Sequence, residues 1–117
     1  MTFRRLVRGP KATEAGIMSV SFVSAEDAPT DVRIAFSVPV RIGSAVVRNR
    51  TKRRIRAIIR QNGDRTARGA YLIKVHSRLD ELNYGELSTL VGRLMHESSI
   101  MGSKRVAGKN KKYMAFI

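Results

Sequence analysis

The sequence predicts one α+β domain. Three short segments alternate apolar and polar residues with the period of a strand, and two longer ones repeat apolar residues at the three- and four-residue spacing of a helix. A chain of 117 residues, 43% hydrophobic, is long enough to bury one modest core. The domain is expected over residues 3–100, followed by a basic, flexible tail over 101–117 that ends in the apolar run YMAFI.

In chain order, Phe3, Leu6 and Val7 fall at helical spacing, giving one or two turns that end at Gly9-Pro10. Residues 11–16 read as a loop. Residues 17–23 (IMSVSFV) put Met18, Val20 and Phe22 on one side and Ser19 and Ser21 on the other, the pattern of a half-buried strand. Residues 24–31, with Glu26, Asp27, Pro29 and Asp31, form an acidic, turn-rich connection. Residues 32–38 alternate again, with Val32, Ile34, Phe36 and Val38 on one face, and the short link predicts an antiparallel partner for the preceding strand. Pro39 ends it.

Residues 46–61 predict a helix with two unlike faces. Val47, Thr51, Ile55 and Ile58 make a largely apolar stripe, and Asn49, Lys52, Arg53, Arg56 and Arg60 gather opposite, flanked by Arg48 and Arg50. Ser44 after Gly43 is the expected N-cap, and Asn62-Gly63 the stop. From Arg41 to Arg60 no acidic residue interrupts the run. A solvated helix normally interleaves signs, because like charges four residues apart, as at Lys52/Arg56 and Arg56/Arg60, repel. Charge that opposes its own helix points to an external anion.

A third strand is expected over residues 70–75, with Tyr71, Ile73 and Val75 on one face. The second helix is expected over residues 83–97. Asn83 and Glu86 have capping-box spacing, Leu82 and Leu87 can staple the first turn, and Leu87, Leu90, Val91, Leu94 and Met95 make the core stripe. Residues 102–112 (GSKRVAGKNKK) read as mobile.

Lys plus Arg number 23 against 9 Asp plus Glu, a net charge of +14 and a pI near 11.4, which suits nucleic acid. A membrane partner is disfavoured, because the basic helix lacks a Trp, Phe or Leu face and no long apolar run exists. With no Cys and no secretory pattern at the N-terminus, a reducing cytoplasm is expected. His76 and His96 have no ligand partners in sequence, and the G-x-S-x-G and phosphate-loop spacings are missing. Glu97, Glu81 and Asp80 lie at the edges of the last helix, where cap and surface roles suit them. No catalytic side chain is assigned.

Residues 42–56 (IGSAVVRNRTKRRIR) closely resemble the Arg-Asn-Arg signature of the bacterial ribonuclease P protein subunit family. The preceding FSV, the FRR at Phe3 and the last helix from Leu82 to Leu94 also resemble family motifs. The resemblance covers about residues 3–97. It implies an α/β sandwich similar to the second domain of ribosomal protein S5, with about four strands and a left-handed β-α-β crossover through the basic helix. It further implies binding to a large catalytic RNA that, with Mg²⁺ held through the RNA and no organic cofactor, removes the 5′ leader of precursor tRNA. The polypeptide would be a monomer within that ribonucleoprotein, in the cytoplasm.

Matched position by position, Arg48, Asn49, Arg50, Lys52, Arg53 and Arg56 would contact the catalytic RNA, with Arg60 and Arg41 extending the surface. Phe3, Val7, Ser19 and Ser21 would meet the leader, although Phe3 can equally cap the core. The chain departs from the family at Val38-Pro39-Val40-Arg41, where Ser-Lys-Lys is usual and one cation remains. Two other readings stand beside this one: a ribosomal or other structural RNA-binding protein of S5-like fold, and a non-specific DNA-binding module.

Overall fold

The structure, a computed structural model, describes residues 11–24, 32–63 and 66–109. The short helix expected at Phe3 to Val7 lies outside them, as do residues 110–117 and the acidic connection expected at 24–31, apart from Ser24, which ends a strand. Four strands, β1 (Lys11–Glu14), β2 (Met18–Ser24), β3 (Val32–Ser37) and β4 (Gly69–Val75), form one mixed sheet in the order β1-β2-β4-β3. Helices α1 (Ala45–Asn62) and α2 (Tyr84–Lys109) pack on one face of it. This is the α+β class that the alternating and helical patterns predict.

Residues 11–14 are a strand rather than the expected loop. The chain reverses at Glu14 to Ile17, where the Ile17 N–H donates to the Glu14 carbonyl at 3.0 Å and Gly16 takes φ 75°, a conformation costly for residues with a Cβ. That turn sets the pairings Lys11 with Ser21 and Glu14 with Met18. Ala12 is buried, and Arg93 of α2 pairs with Glu14 across the hairpin.

The expected antiparallel pairing of β2 with β3 is also not what forms. β3 pairs in parallel with β4, Val32 opposite Gly69 and Phe36 opposite Ile73, while β4 pairs antiparallel with β2. The physical reason lies in β4: Ala70, Tyr71, Leu72, Ile73 and Val75 are all buried, so both of its faces suit the middle of a sheet. α1 supplies the crossover that parallel neighbours require.

The core between sheet and helices takes Met18, Val20 and Phe22 from β2 and Tyr71, Ile73 and Val75 from β4. To these α1 adds Ile55, Ile58 and Ile59, and α2 adds Leu87, Leu90, Val91, Leu94 and Met95. The even residues of β3 pack against its edge as expected. Phe22 and Tyr71 meet with ring centroids 4.8 Å apart. The other sheet face holds a smaller cluster of Val23, Ala70 and Leu72 with Ala35 beside it. β2 is therefore buried on both sides, where the alternation predicted a half-buried strand.

α2 begins as expected. The Glu86 N–H donates to Asn83 Oδ1 at 2.8 Å, and Glu86 Oε1 accepts from the Asn83 N–H at 3.0 Å, closing the capping box. The helix runs on to Lys109, past the expected end at Glu97 and through the first part of the expected tail. No proline interrupts residues 98–109, and Lys104, Arg105 and Ala107 are good helix formers.

Candidate nucleic-acid interface

α1 is held at both ends by local chemistry. Ser44 Oγ accepts from the Val47 N–H at 3.3 Å, and the Gly63 N–H donates back to the Ile59 carbonyl. Ahead of the cap, the turn Val40–Ile42 runs into Gly43 at φ 153°. A Cβ at Gly43 would lie 3.0 Å from Val47 Cγ1, so any other residue would have to push Val47 aside and adopt a φ that favours glycine. The apolar stripe is buried through Thr51, Ile55, Ile58 and Ile59, with Val47 half-buried. Thr51 satisfies its hydroxyl by donating to the Val47 carbonyl at 3.0 Å.

Burying that stripe turns the cations outward. Asn49, Arg50, Arg53, Arg56 and Arg60 are exposed, and Lys52 is half-buried. A shallow depression of about 440 Å³ is lined by Val46, Asn49, Lys52, Arg53 and Arg56, so four of the eight expected RNA-contacting residues share one concavity. Every charged group lining it is a cation. Val46 is 64% exposed there. The sequence reading assigned it no role, although its spacing of three to Asn49 and seven to Arg53 places it on this face.

The remaining cations divide by what they touch. Arg48, half-buried, donates through Nε to the Gly43 carbonyl at 3.2 Å and braces the helix entry. Arg41 sits off the helix and donates to the His76 carbonyl at 2.7 Å, beside the end of β4. Arg54, in the charge run but not among the expected contacts, donates to the carbonyls of Leu79 (3.1 Å) and Leu82 (2.8 Å) and serves the fold. Arg50 faces the β4–α2 connection. There the Asp80 carboxyl is held below its usual range chiefly by a hydrogen bond from Arg78, with Arg50 and Arg54 adding positive potential.

The residues assigned to the leader are placed differently. Phe3 and Val7 lie outside the described residues. Ser19 and Ser21 are 4% and 1% exposed, not on an open polar surface, and Ser19 Oγ shares a hydrogen bond of 3.1 Å with His76 Nε2. The same sheet face brings together Lys11 and Lys74, which the sequence reading left unassigned. Burial first, and then the neighbouring Lys11, lowers the Lys74 pKa. Lys11 was hidden by the missed strand, and its signal was the alternation of KAT ahead of a Gly-containing turn.

Among the described residues, no three His, Asp or Glu side chains come together as a metal site, so their donor set does not fit a divalent ion of its own. No helix among them is long and apolar enough to cross a membrane.

A family model described as Ribonuclease P matches residues 1–99. The chain is 38% identical over 68 residues to the ribonuclease P protein component of Mycoplasma capricolum, a stretch covering 56% of this chain and 62% of that protein. It is 32% identical over 85 residues to the component of Symbiobacterium thermophilum, covering 71% of this chain and 73% of that one. The fold is similar to the Staphylococcus aureus RNase P protein, with a TM-score of 0.70 at 16% identity over 85% of this chain and 90% of the other.

Proposed function

This chain belongs to the Ribonuclease P family, and from that premise we propose that it binds the catalytic RNA of the ribonucleoprotein through the exposed face of α1 and assists removal of the 5′ leader from precursor tRNA. The observation that carries the reading is the depression on α1. Its lining offers three cations, one amide and one apolar side chain with no carboxylate among them. A polyanion gains there by releasing its own counterions, and the gain is independent of base sequence. Asn49 adds a group that can donate and accept at one point, which charge alone cannot do. Arg48 and Arg41, each anchored to a backbone carbonyl through one nitrogen, keep further N–H donors for phosphate.

In this reading the polypeptide supplies binding and not chemistry. The Mg²⁺ would be held through the RNA and would supply the chemistry of the cleavage. The leader lies along the sheet face on which Lys11 and Lys74 come together over the buried Ser19 and Ser21. What supports this is the approach of two lysines, Lys11 and Lys74, on one sheet face, a charge that suits a phosphate chain without base-specific donors. The protein acts as a monomer within the ribonucleoprotein.

Reconstitution tests the proposal. The purified chain, bacterial ribonuclease P RNA and precursor tRNA are mixed at low Mg²⁺, and 5′ processing is compared with RNA alone. A gain is expected. RNA binding without any gain would assign the chain to structural RNA-binding proteins instead.

A further inference from the structure

Arg56 stands over an aromatic ring. Its guanidinium carbon lies 5.1 Å from the centroid of Phe36. Arg56 is exposed and lines the depression on α1. Phe36 is half-buried on the edge strand β3, opposite Ile73 of β4 and packed against the main core. One ring thus has its body in the core and a face beneath a cation of the basic surface.

The contact answers a specific problem. Lys52 and Arg60 lie four residues to either side of Arg56, and Arg53 lies three before it, so like charges push the side chain to spread over many rotamers. The negative face of an aromatic ring attracts a guanidinium and gives it one resting place. A guanidinium lying over a ring keeps outward N–H donors for an anion, and two of them can meet one phosphate. A donor already in place loses less side-chain freedom when the anion arrives.

We propose that Phe36 is a positioning residue for RNA binding: its ring pre-orients Arg56 toward phosphate at the wall of the depression, while Lys52 and Arg53 act through charge alone. The inference rests on the reading of α1 as the RNA-binding face.

The test measures affinity of the full-length protein for bacterial ribonuclease P RNA over a range of salt, with melting temperature alongside. Phe36→Leu is expected to lower affinity about two- to five-fold, the scale of an exposed cation–π contact, and to leave the salt slope unchanged because the Arg56 charge remains. Pentafluorophenylalanine at position 36 keeps the ring's shape and reverses its quadrupole. It should give the same loss at an unchanged melting temperature, and Phe36→Tyr should restore binding. With Arg56→Ala present, neither change at position 36 should weaken binding further. The proposal is overturned if the fluorinated ring binds RNA as phenylalanine does, or if Phe36→Leu costs as much without Arg56 as with it. Should Arg53→Ala and Arg56→Ala both leave affinity and slope untouched, the RNA face itself is misassigned, a result distinct from failure of Phe36 alone.

Discussion

Arg54 on the basic helix donates to the carbonyl of Leu82 at 2.8 Å, and the same guanidinium reaches Leu79 at 3.1 Å. The cation tightens the connection between β4 and the capping box of α2 rather than facing solvent with its neighbours. Hydrogen bonds to charged groups contribute about 1.5–3 kcal/mol when buried, and partial exposure puts this pair at the lower end. Arg54→Ala should therefore cost about 1–2 kcal/mol in urea denaturation. Its salt slope for RNA binding should match wild type, and a slope reduced as far as that of a surface arginine would place Arg54 on the RNA instead.

Arg53 and Arg56 should behave in the opposite way. If α1 engages four to six phosphates, log affinity against log salt should slope by roughly −3 to −5. Each alanine substitution should flatten it by about one unit and leave the melting temperature near wild type, since both side chains are exposed. Titrations at several salt concentrations with both variants decide it.

Asn49 lines the depression without adding charge. Asn49→Asp should weaken RNA binding more than Asn49→Ala, because a carboxylate repels phosphate while alanine only removes hydrogen bonds. Equal losses would mean that the amide merely fills space.

Tyr71 gives a pH signature unrelated to RNA. Its hydroxyl donates to the Ala67 carbonyl at 2.7 Å, and burial raises its pKa above the ordinary 10.0. The unfolded chain releases this proton first as pH rises, so the contribution to stability is complete below pH 10 and declines above it. Tyr71→Phe should lose about 1 kcal/mol at neutral pH, and its stability should fall less steeply than wild type between pH 9.5 and 11. Denaturation midpoints across that range measure the difference.

These residues also show which parts of the molecule were legible in sequence. α1 was readable nearly to the residue because both ends carry local chemical markers, Ser44 and Gly63, and one period separates its faces. α2's start was readable for the same reason at Asn83 and Glu86. Sheet order was not, because strand pairing is decided by what each face must bury and not by loop length. The link at residues 25–31 is short, yet β3 goes to β4, whose residues are apolar on both faces, as suits an inner strand. Ser19 and Ser21 misled in a related way. Small hydroxyls alternate like a solvated face, but they fit equally well in a buried one when a partner such as His76 is near. The basic face of α1 was legible in composition, whereas the Phe36 ring under Arg56 depends on a tertiary contact that no spacing reveals.

The position of β4 bears on how the chain reaches its native state. Of the sheet's two inner strands, β4 is the last of the four strands to appear in sequence, and β3 has no other strand partner among the described residues. Pairing β3 with β4 therefore closes a loop that contains α1, seven of whose 18 residues are Lys or Arg and repel one another. The loop-closure entropy and the charge penalty fall on the same step. Counterions that screen the α1 arginines should ease that step, and a bound polyanion should ease it further. The surface that would hold RNA in the finished particle is then also the one through which RNA would speed the protein's own folding.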